Sequence, residues 1–288
     1  MTVFRRHYQP YDGALTPRRL RCLVPTRYAF AELRRSRAIL GFTFIASLPP
    51  LVGVSVVYLL HNPAARVLLG FMKLTELLRV DAAFFVHALA TQCFFGFVLA
   101  AWIGPSLMRG DLANGALPLY LSRPLSRFEY VFGKALVILG LGSLVTWLPV
   151  LLLYVENGIL AGNGWWYSHL RIALGLVVGG TLWCAVVALY TLALSAWIKW
   201  RLLASSTAIG LYLICAGFGE ALENAARTPW GRLLDFGHVF RMLWTALFGA
   251  KPLEPTVPIF AAWALVTFVA GASTCVLALR VRPRENSR

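Results

Sequence analysis

Two long apolar runs that contain no Asp, Glu, Lys or Arg constrain the fold of this chain most strongly. They are Ala82–Met108 and Ala135–Val155, and they flank a polar, charged segment, Arg109–Lys134. Each run is long enough to cross a bilayer, because about 20 apolar residues span the roughly 30 Å hydrocarbon layer. The segment between them, named here the central island, must therefore lie in water between two membrane helices.

The composition excludes a soluble protein. Apolar residues make up 59% of the chain, charged residues only 14%, and the mean hydropathy is +0.69. A net charge of +15 would indicate a nucleic-acid partner in a soluble chain. Here the lysines and arginines that fix membrane topology explain it, so no nucleic acid is expected. The basic first 37 residues lack the apolar stretch of a cleavable signal peptide, and we expect the first span to act as the targeting signal.

Hydropathy predicts an all-α polytopic membrane protein with six transmembrane helices. A transmembrane domain, 26–280, follows an irregular cytoplasmic arm, 1–25, and precedes a cytoplasmic tail, 281–288. The Pro49-Pro50 pair should kink the first span, and Pro63–Arg79 should lie in the outer interface. Charges recur too often in 220–254 for a span, so one or two interfacial or re-entrant helices are expected there. The six spans are predicted at 38–60, 82–108, 130–155, 172–198, 202–219 and 255–279.

The distribution of basic residues predicts the orientation. Nineteen of the 27 lysines and arginines fall in four segments: nine in the first 37 residues, four in the central island, two in the link 199–201, and four from Arg280 onward. Six spans place these four segments on one side, and an excess of Lys and Arg marks the cytoplasmic side. Both termini and the central island are therefore predicted to be cytoplasmic.

The stretch Thr26–Arg37 has the pattern of an amphipathic helix. Ala29, Phe30 and Leu33 fall on one side of such a helix, with Thr26 as its N-cap. The pattern favours a helix on the inner membrane face that leads into the first span. A solvated basic flank that serves only topology is the alternative.

Several kinds of chemistry have no motif in the sequence. It contains no phosphate-binding G-x-x-x-x-G-K-[ST] loop, no H-E-x-x-H and no G-x-S-x-G. Proton- or sodium-driven carriers bury ionisable residues near the midplane, whereas no Asp or Glu falls in the middle of a predicted span. The cysteines show no CxxC spacing and are interpreted as packing residues, with no metal site expected. They are Cys22, Cys93, Cys184, Cys215 and Cys275.

An intramembrane enzyme acting on lipids is an alternative that depends on a few scattered groups. His87 lies about six residues into its span, where a polar side chain more often bonds a neighbouring helix than catalyses a reaction. Asp235 precedes His238 by three residues, a spacing more typical of a local ion pair than of a catalytic dyad. The groups that this alternative could use are His87, His169, His238, Glu220, Glu223 and Asp235.

The central island carries the most specific pattern of the sequence. It resembles the signature region of ABC-2 type transporter permeases: an acidic residue, a small-residue step, an apolar run, Ser-x-Pro, a hydroxyl with Arg, and Gly-Lys. These elements are Asp111, Gly115, Leu117–Leu121, Ser122, Pro124, Ser126, Arg127, Gly133 and Lys134. The sequence departs from the family pattern at Asp111, where Glu is commoner, at Ala116, usually Thr, and at Pro118, often Glu. The six-span layout from residue 26 to 280 is also similar to that family.

The resemblance implies a permease that has no ATPase activity of its own. Two permease subunits, with a homodimer favoured, would form the membrane part in the lipid bilayer, and two separate ATPase subunits would bind beneath it. ATP and Mg would be held by those partners, with no cofactor in this chain. Gly110–Arg127 would couple to the ATPase and Thr26–Arg37 would form a second contact; holding the loop inside or binding lipid phosphates is the alternative role of the arginines. The predicted coupling residues are Asp111, Gly115, Leu119, Tyr120, Arg123, Pro124, Arg127, Glu32, Arg34 and Arg35.

The cargo path is expected between spans one, two and five. Mild polar groups in an apolar wall favour a lipophilic or amphipathic substrate, and the resemblance implies export across the inner membrane of a bacterium. A membrane anchor that only transmits the work of an ATPase is a further alternative. The polar groups predicted along the path are His87, Thr91, Gln92, Ser205, Ser206 and Thr207.

Overall fold

The computed structural model describes residues 17, 23–65, 67, 79–113, 126–198, 200–251 and 257–280, of which 109–113 and 163 are described by their backbone alone. These residues are almost entirely helical, with no strand among them. Six of the helical segments are long and apolar enough to cross a membrane, which confirms the predicted all-helical fold with six candidate spans. They are Arg37–His61, Ala82–Met108, Arg127–Ala161, Leu170–Trp197, Arg201–Ala226 and Ile259–Arg280.

The first span is two helices rather than one kinked helix. Helix α1 covers Leu23–Arg34, and the span itself is formed by α2, Arg37–Ala46, and α3, Leu48–His61. The break falls at Ser47, so both prolines lie in the first turn of α3. First-turn amides have no intrahelical acceptor, and proline is tolerated there. The structure therefore has a break at Ser47 in place of the predicted kink, and the two prolines begin a helix instead of bending one.

The helix of the second span ends beyond its apolar run, and the helices of the third span begin before their apolar run and end after it. Helix α4 covers Ala82–Ala113, and the third span consists of α5, Arg127–Val145, and α6, Trp147–Ala161. Predicted limits of 130–155 for the third span were too narrow. A side-chain cap begins α5 at Arg127, and α6 continues to Gly162, which has a φ of 92° that favours glycine.

The fifth span is also longer than predicted. After α7, Asn163–Ser168, and α8, Leu170–Trp197, helix α9 covers Arg201–Ala226. It carries Glu220 and Glu223, which were predicted to lie in the interfacial or re-entrant segment 220–254. Ala and Leu between these charges favour helix, and the helix ends where Arg227 adopts a left-handed conformation.

The segment after α9 folds back against the core. A 3₁₀ helix, Pro229–Leu234, leads into α10, Phe236–Phe248, and α11, Ile259–Arg280, forms the last span. Two stripes of α10, Val239–Phe240 and Leu243–Trp244, are buried. The sequence predicted interfacial or re-entrant helices in this region, and α10 is one amphipathic helix with its apolar face packed on α8.

Helix α10 packs on a surface of α8 formed by Gly175, Gly179 and Trp183, named here the α8–α10 seat. Gly175 and Gly179, one turn apart, face the rings of Phe248 and Trp244, and Trp183 continues the same stripe against Phe236, Phe240 and Trp244. Glycine at these two positions lets the helices approach closely, because a Cβ would lie within 2.5 and 2.6 Å of ring atoms. The packing of α10 on α8 therefore depends on the two glycines of α8, which have no side chain, as much as on the aromatic residues.

Arg171 holds the end of α10 in place. Its guanidinium donates Nε–H to the Leu247 carbonyl at 2.8 Å and Nη2–H to the Ala246 carbonyl at 2.7 Å. The last carbonyls of a helix have no intrahelical donor, and a cation there also meets the negative end of the helix dipole. Arg171 thus ties the beginning of α8 to the end of α10.

Candidate functional site

The helices on both sides of the central island continue past their apolar runs. Helix α4 extends from Met108 to Ala113, five further residues or roughly 7.5 Å at 1.5 Å per residue. Helix α5 begins at Arg127, three residues before the predicted start of its span. The backbone of Asp111 belongs to α4, so the central island is joined to two spans by continuous helix.

A capping box fixes the beginning of α5. The Glu129 amide donates to Ser126 Oγ at 3.2 Å, and the Ser126 amide donates to the Glu129 carboxylate at 2.6 Å. This arrangement satisfies two donors that a helix start leaves unpaired. The coupling candidates Gly115, Leu119, Tyr120, Arg123 and Pro124 lie outside the described residues. Arg127 is described, and it is exposed in the first turn of α5.

Helix α1 packs beside the beginning of the third span. Thr26 does not cap it, because the helix begins at Leu23; the Thr26 hydroxyl instead donates to the Gly133 carbonyl at 2.8 Å. Phe30 lies beside Gly140. The predicted apolar stripe is correct, since its three apolar members, Ala29, Phe30 and Leu33, pack against the core.

The charged coupling candidates of this region are exposed. Glu32 and Arg34 lie on α1, and Arg35 lies in the turn that follows it. Because α1 contacts α5, whose first residue is Arg127, these charges belong to the same end of the molecule as the central island.

Three of the predicted path residues line one groove. His87, Thr91 and Gln92 on α4 face the prolines of the first span across a cavity of about 220 Å³, closed by Val150 and Leu153 of α6. Gln92 is only 1% exposed, and neither its Oε1 nor its Nε2 has a hydrogen-bond partner among the residues that the structure describes. Thr91 donates to the His87 carbonyl at 3.0 Å. A buried amide without a partner costs about 1–3 kcal/mol, so Gln92 is the polar group of this groove whose cost requires a reason.

The other three path residues lie elsewhere. Phe97 of α4 stacks on Tyr212 of α9 with ring centroids 4.4 Å apart, which fixes the register of the two helices. His87 precedes Phe97 by ten residues, and Ser206 precedes Tyr212 by six. Spans two and five run in opposite directions, so these offsets add to roughly 24 Å along the helix axes. Ser205, Ser206 and Thr207 therefore do not share the groove with His87, Thr91 and Gln92.

The histidine–carboxylate pairs considered for catalysis are not formed. Asp235 lies 3.6 Å from Nη2 of Arg241, and Glu223 forms an ion pair with Arg232. His169 stacks on Trp165 and bonds to the Ser168 hydroxyl. No cluster of three or more His, Cys, Asp or Glu suited to a metal ion occurs in the described part of the chain.

His238 lies on α10 near two arginines and two carboxylates. Partial burial lowers its pKa below the usual 6.5, and the charges of Arg241 and Arg232 lower that pKa further, while Asp235 and Glu223 oppose the shift. The neutral imidazole is therefore favoured at pH 7.

The sequence reasoning missed the α8–α10 seat. Gly175 and Gly179 are spaced as in small-residue contacts between membrane helices, a signal that was present in the sequence. Arg171 carried no local signal, since its acceptors lie 75 and 76 residues further along the chain.

In class, the part of the chain that the structure describes is helical, without strands, and contains six helices of membrane-spanning length and hydropathy. No protein-family model matches it, and no curated protein matches it either.

Proposed function

We propose that this chain is the membrane-spanning permease subunit of an ABC transporter of the ABC-2 type, driven by separate ATPase subunits. It would reside in a bacterial inner membrane with both termini and the central island in the cytoplasm, as the positive-inside distribution favours. Its cargo would be a lipophilic or amphipathic compound, and export is the favoured direction. Two permease chains would assemble with two ATPases, which hold the ATP and Mg.

The observation that carries this proposal is the continuity between the central island and two spans. Helix α4 enters the island beyond Met108, and α5 leaves it at a capped start, Arg127. A force applied to the island would act on two helices that reach into the core, because the rigid α-helix transmits displacement along its axis. Such an element suits a chain that receives mechanical work from a soluble motor.

Helix α1 supports the same proposal as a second contact. Its apolar side is fixed to α5 through Thr26 and Phe30, and its exposed charges, Glu32 and Arg34, remain available to a partner. A partner that bound both α1 and the central island would therefore move the third span from two places. The planar guanidinium of Arg127 suits pairing with a carboxylate of that partner.

The groove around Gln92 supports a path for a mainly apolar cargo. Its walls are prolines, valines and leucine, with one unpaired amide and the neighbouring His87 and Thr91 as polar groups. A cargo with a hydrogen-bonding headgroup would satisfy the buried amide, which explains why a costly polar side chain lies there.

The proposal is tested by co-purifying the chain with its ATPase and measuring ATP hydrolysis. The variant Arg123→Glu/Arg127→Glu reverses the charge of two of the three arginines of the central island, and we expect the amount of bound ATPase to fall at least about tenfold with loss of stimulated hydrolysis. Glutamate in the first turn favours the helix dipole, so the change at Arg127 should not weaken α5. The matched control is Arg201→Glu, an exposed arginine at the beginning of α9. Unchanged assembly and unchanged hydrolysis in the double variant would contradict the coupling role.

Two alternatives predict different results. An intramembrane enzyme would turn over a lipid without any ATPase, although Asp235 and Glu223, two of its three carboxylates, are paired with arginines. A membrane anchor would assemble with the ATPase but would leave cargo accumulation unchanged when Gln92 is replaced. Lipid turnover by the purified chain and cargo export by Gln92→Met separate these two from the proposed permease.

A further inference from the structure

A second cavity, larger than the groove around Gln92, lies on the polar side of α10. It has a volume of about 470 Å³ and is bounded by the beginning of α4, by α10, and by residues next to the beginning of α11. While Phe240 and Trp244 bury the opposite face of α10, His238, Arg241 and Thr245 line this cavity at helical spacings of three and four. The amphipathic character of α10 thus places its polar groups along one wall.

The described lining of this cavity is cationic. Arg241 and Lys251 carry permanent positive charge, two imidazoles, His87 and His238, face the same space, and none of the lining residues that the structure describes is acidic. Arg241 meets Asp235 through a single contact of 3.6 Å, at one of its three guanidinium nitrogens. A guanidinium has five N–H donors, so most of them can bond a ligand.

The remaining lining is apolar. Val86, Met242, Pro258 and Ile259 form the wall beside the cationic groups. A ligand that fills this space would place an anionic group against Arg241 and Lys251 and an apolar portion against that wall. Planar arginine donors with a nearby ammonium match the several oxygens of a phosphate group.

We infer that this cavity binds a phosphate ester, either the phosphodiester headgroup of an anionic lipid or a soluble phosphate. The inference does not rest on the proposed transport function, because it concerns binding by this chain alone. The apolar wall favours the lipid, and the experiment distinguishes the two sources.

The test uses the full chain purified in detergent without any ATPase, with bound molecules counted by native mass spectrometry. The probes are phosphatidylglycerol, zwitterionic phosphatidylcholine and inorganic phosphate. We expect wild type to retain phosphatidylglycerol in preference to phosphatidylcholine, and Arg241→Gln/Lys251→Gln to weaken phosphatidylglycerol binding at least about tenfold, as expected for lost charge-assisted hydrogen bonds. Inorganic phosphate that binds the wild type tightly and displaces the lipid would assign the site to a soluble phosphate.

The matched control is Arg227→Asn, which removes an exposed arginine after α9 that does not line the cavity. Asparagine tolerates the left-handed backbone of that position, φ 51°. If the control and the double variant lost phosphatidylglycerol equally, the loss would be due to the overall charge of the protein and not to this cavity, and the inference would be overturned. Absence of binding by every probe to a wild-type chain with an intact unfolding transition would overturn it too.

Discussion

The close approach of α10 to α8 gives a prediction with a magnitude that follows from distances. In Gly175→Ala/Gly179→Ala, the new methyl groups would lie 2.5 Å from Phe248 Cδ1 and 2.6 Å from Trp244 Cδ1. Ordinary contacts lie at about 3.5–4.0 Å, so each ring must retreat by roughly 1 Å. Phe248 and Trp244 are only 4% and 1% exposed, which leaves little space for that movement. Overpacking costs about 1–3 kcal/mol per site, or about 2–6 kcal/mol for the pair.

The control must account for the increase in helix stability that a change from glycine to alanine gives in any helix. Replacing glycine by alanine inside a helix stabilises it by about 0.5–1 kcal/mol. Gly210→Ala/Gly217→Ala makes the same two changes in α9, where no described atom lies within 4 Å of either new methyl group. The difference in free energy of unfolding between the two double variants therefore isolates the steric cost.

The assay is the thermal unfolding midpoint of each variant in the same detergent. A steric cost of 2 kcal/mol at about 2–4 °C per kcal/mol separates the two variants by at least about 4 °C. The α8 variant should unfold below the wild type, and the α9 variant at or above it. Equal midpoints for the two double variants would refute the reasoning that α10 is seated on these glycines.

Three further predictions concern single residues. Ser126→Ala removes the capping box and should cost about 1 kcal/mol; we expect faster hydrogen exchange at the first amides of α5, and unchanged exchange there would contradict the cap. Gln92→Met replaces a buried amide without a described partner and should raise the stability by about 1 kcal/mol while lowering cargo export; a lower unfolding midpoint would contradict the assignment. His238 has a folded-state pKa below 6.5, so the unfolded chain binds more protons between the two pKa values. In phosphate-free buffer, wild-type stability should decline as the pH falls from about 6.5 toward the lower pKa, and His238→Gln should lose this decline; identical pH profiles would contradict it.

The number of spans follows from the sequence because lipid demands long apolar runs. The ends of the helices do not, because helix continues for as long as the backbone is satisfied, whether or not the residues are apolar. Capping at Ser126 and the positive φ of Gly162 set the limits of the third span, beyond the apolar run that defines it. Likewise α9 carries Glu220 and Glu223 past the predicted end of its span.

The sequence predicted which candidate path residues lie together only where those residues belong to one helix. His87, Thr91 and Gln92 are spaced by four and one residues on α4, so their common groove follows from helical geometry. The distance of Ser205–Thr207 from that groove depends on the register between α4 and α9, which the Phe97–Tyr212 stack fixes. Hydropathy does not encode this register, nor the bond between Arg171 and the distant end of α10.

The most direct test of the coupling proposal is photo-crosslinking from the central island in living cells. A photoreactive amino acid would replace Arg123 in the full chain, and another would replace Tyr167, an exposed residue of α7 on the side predicted to face outward. The account predicts that position 123 is linked to one soluble ATP-binding protein and that position 167 is not. Labelling of position 123 by a membrane-impermeant reagent added outside, or linkage to lipid alone, would contradict it.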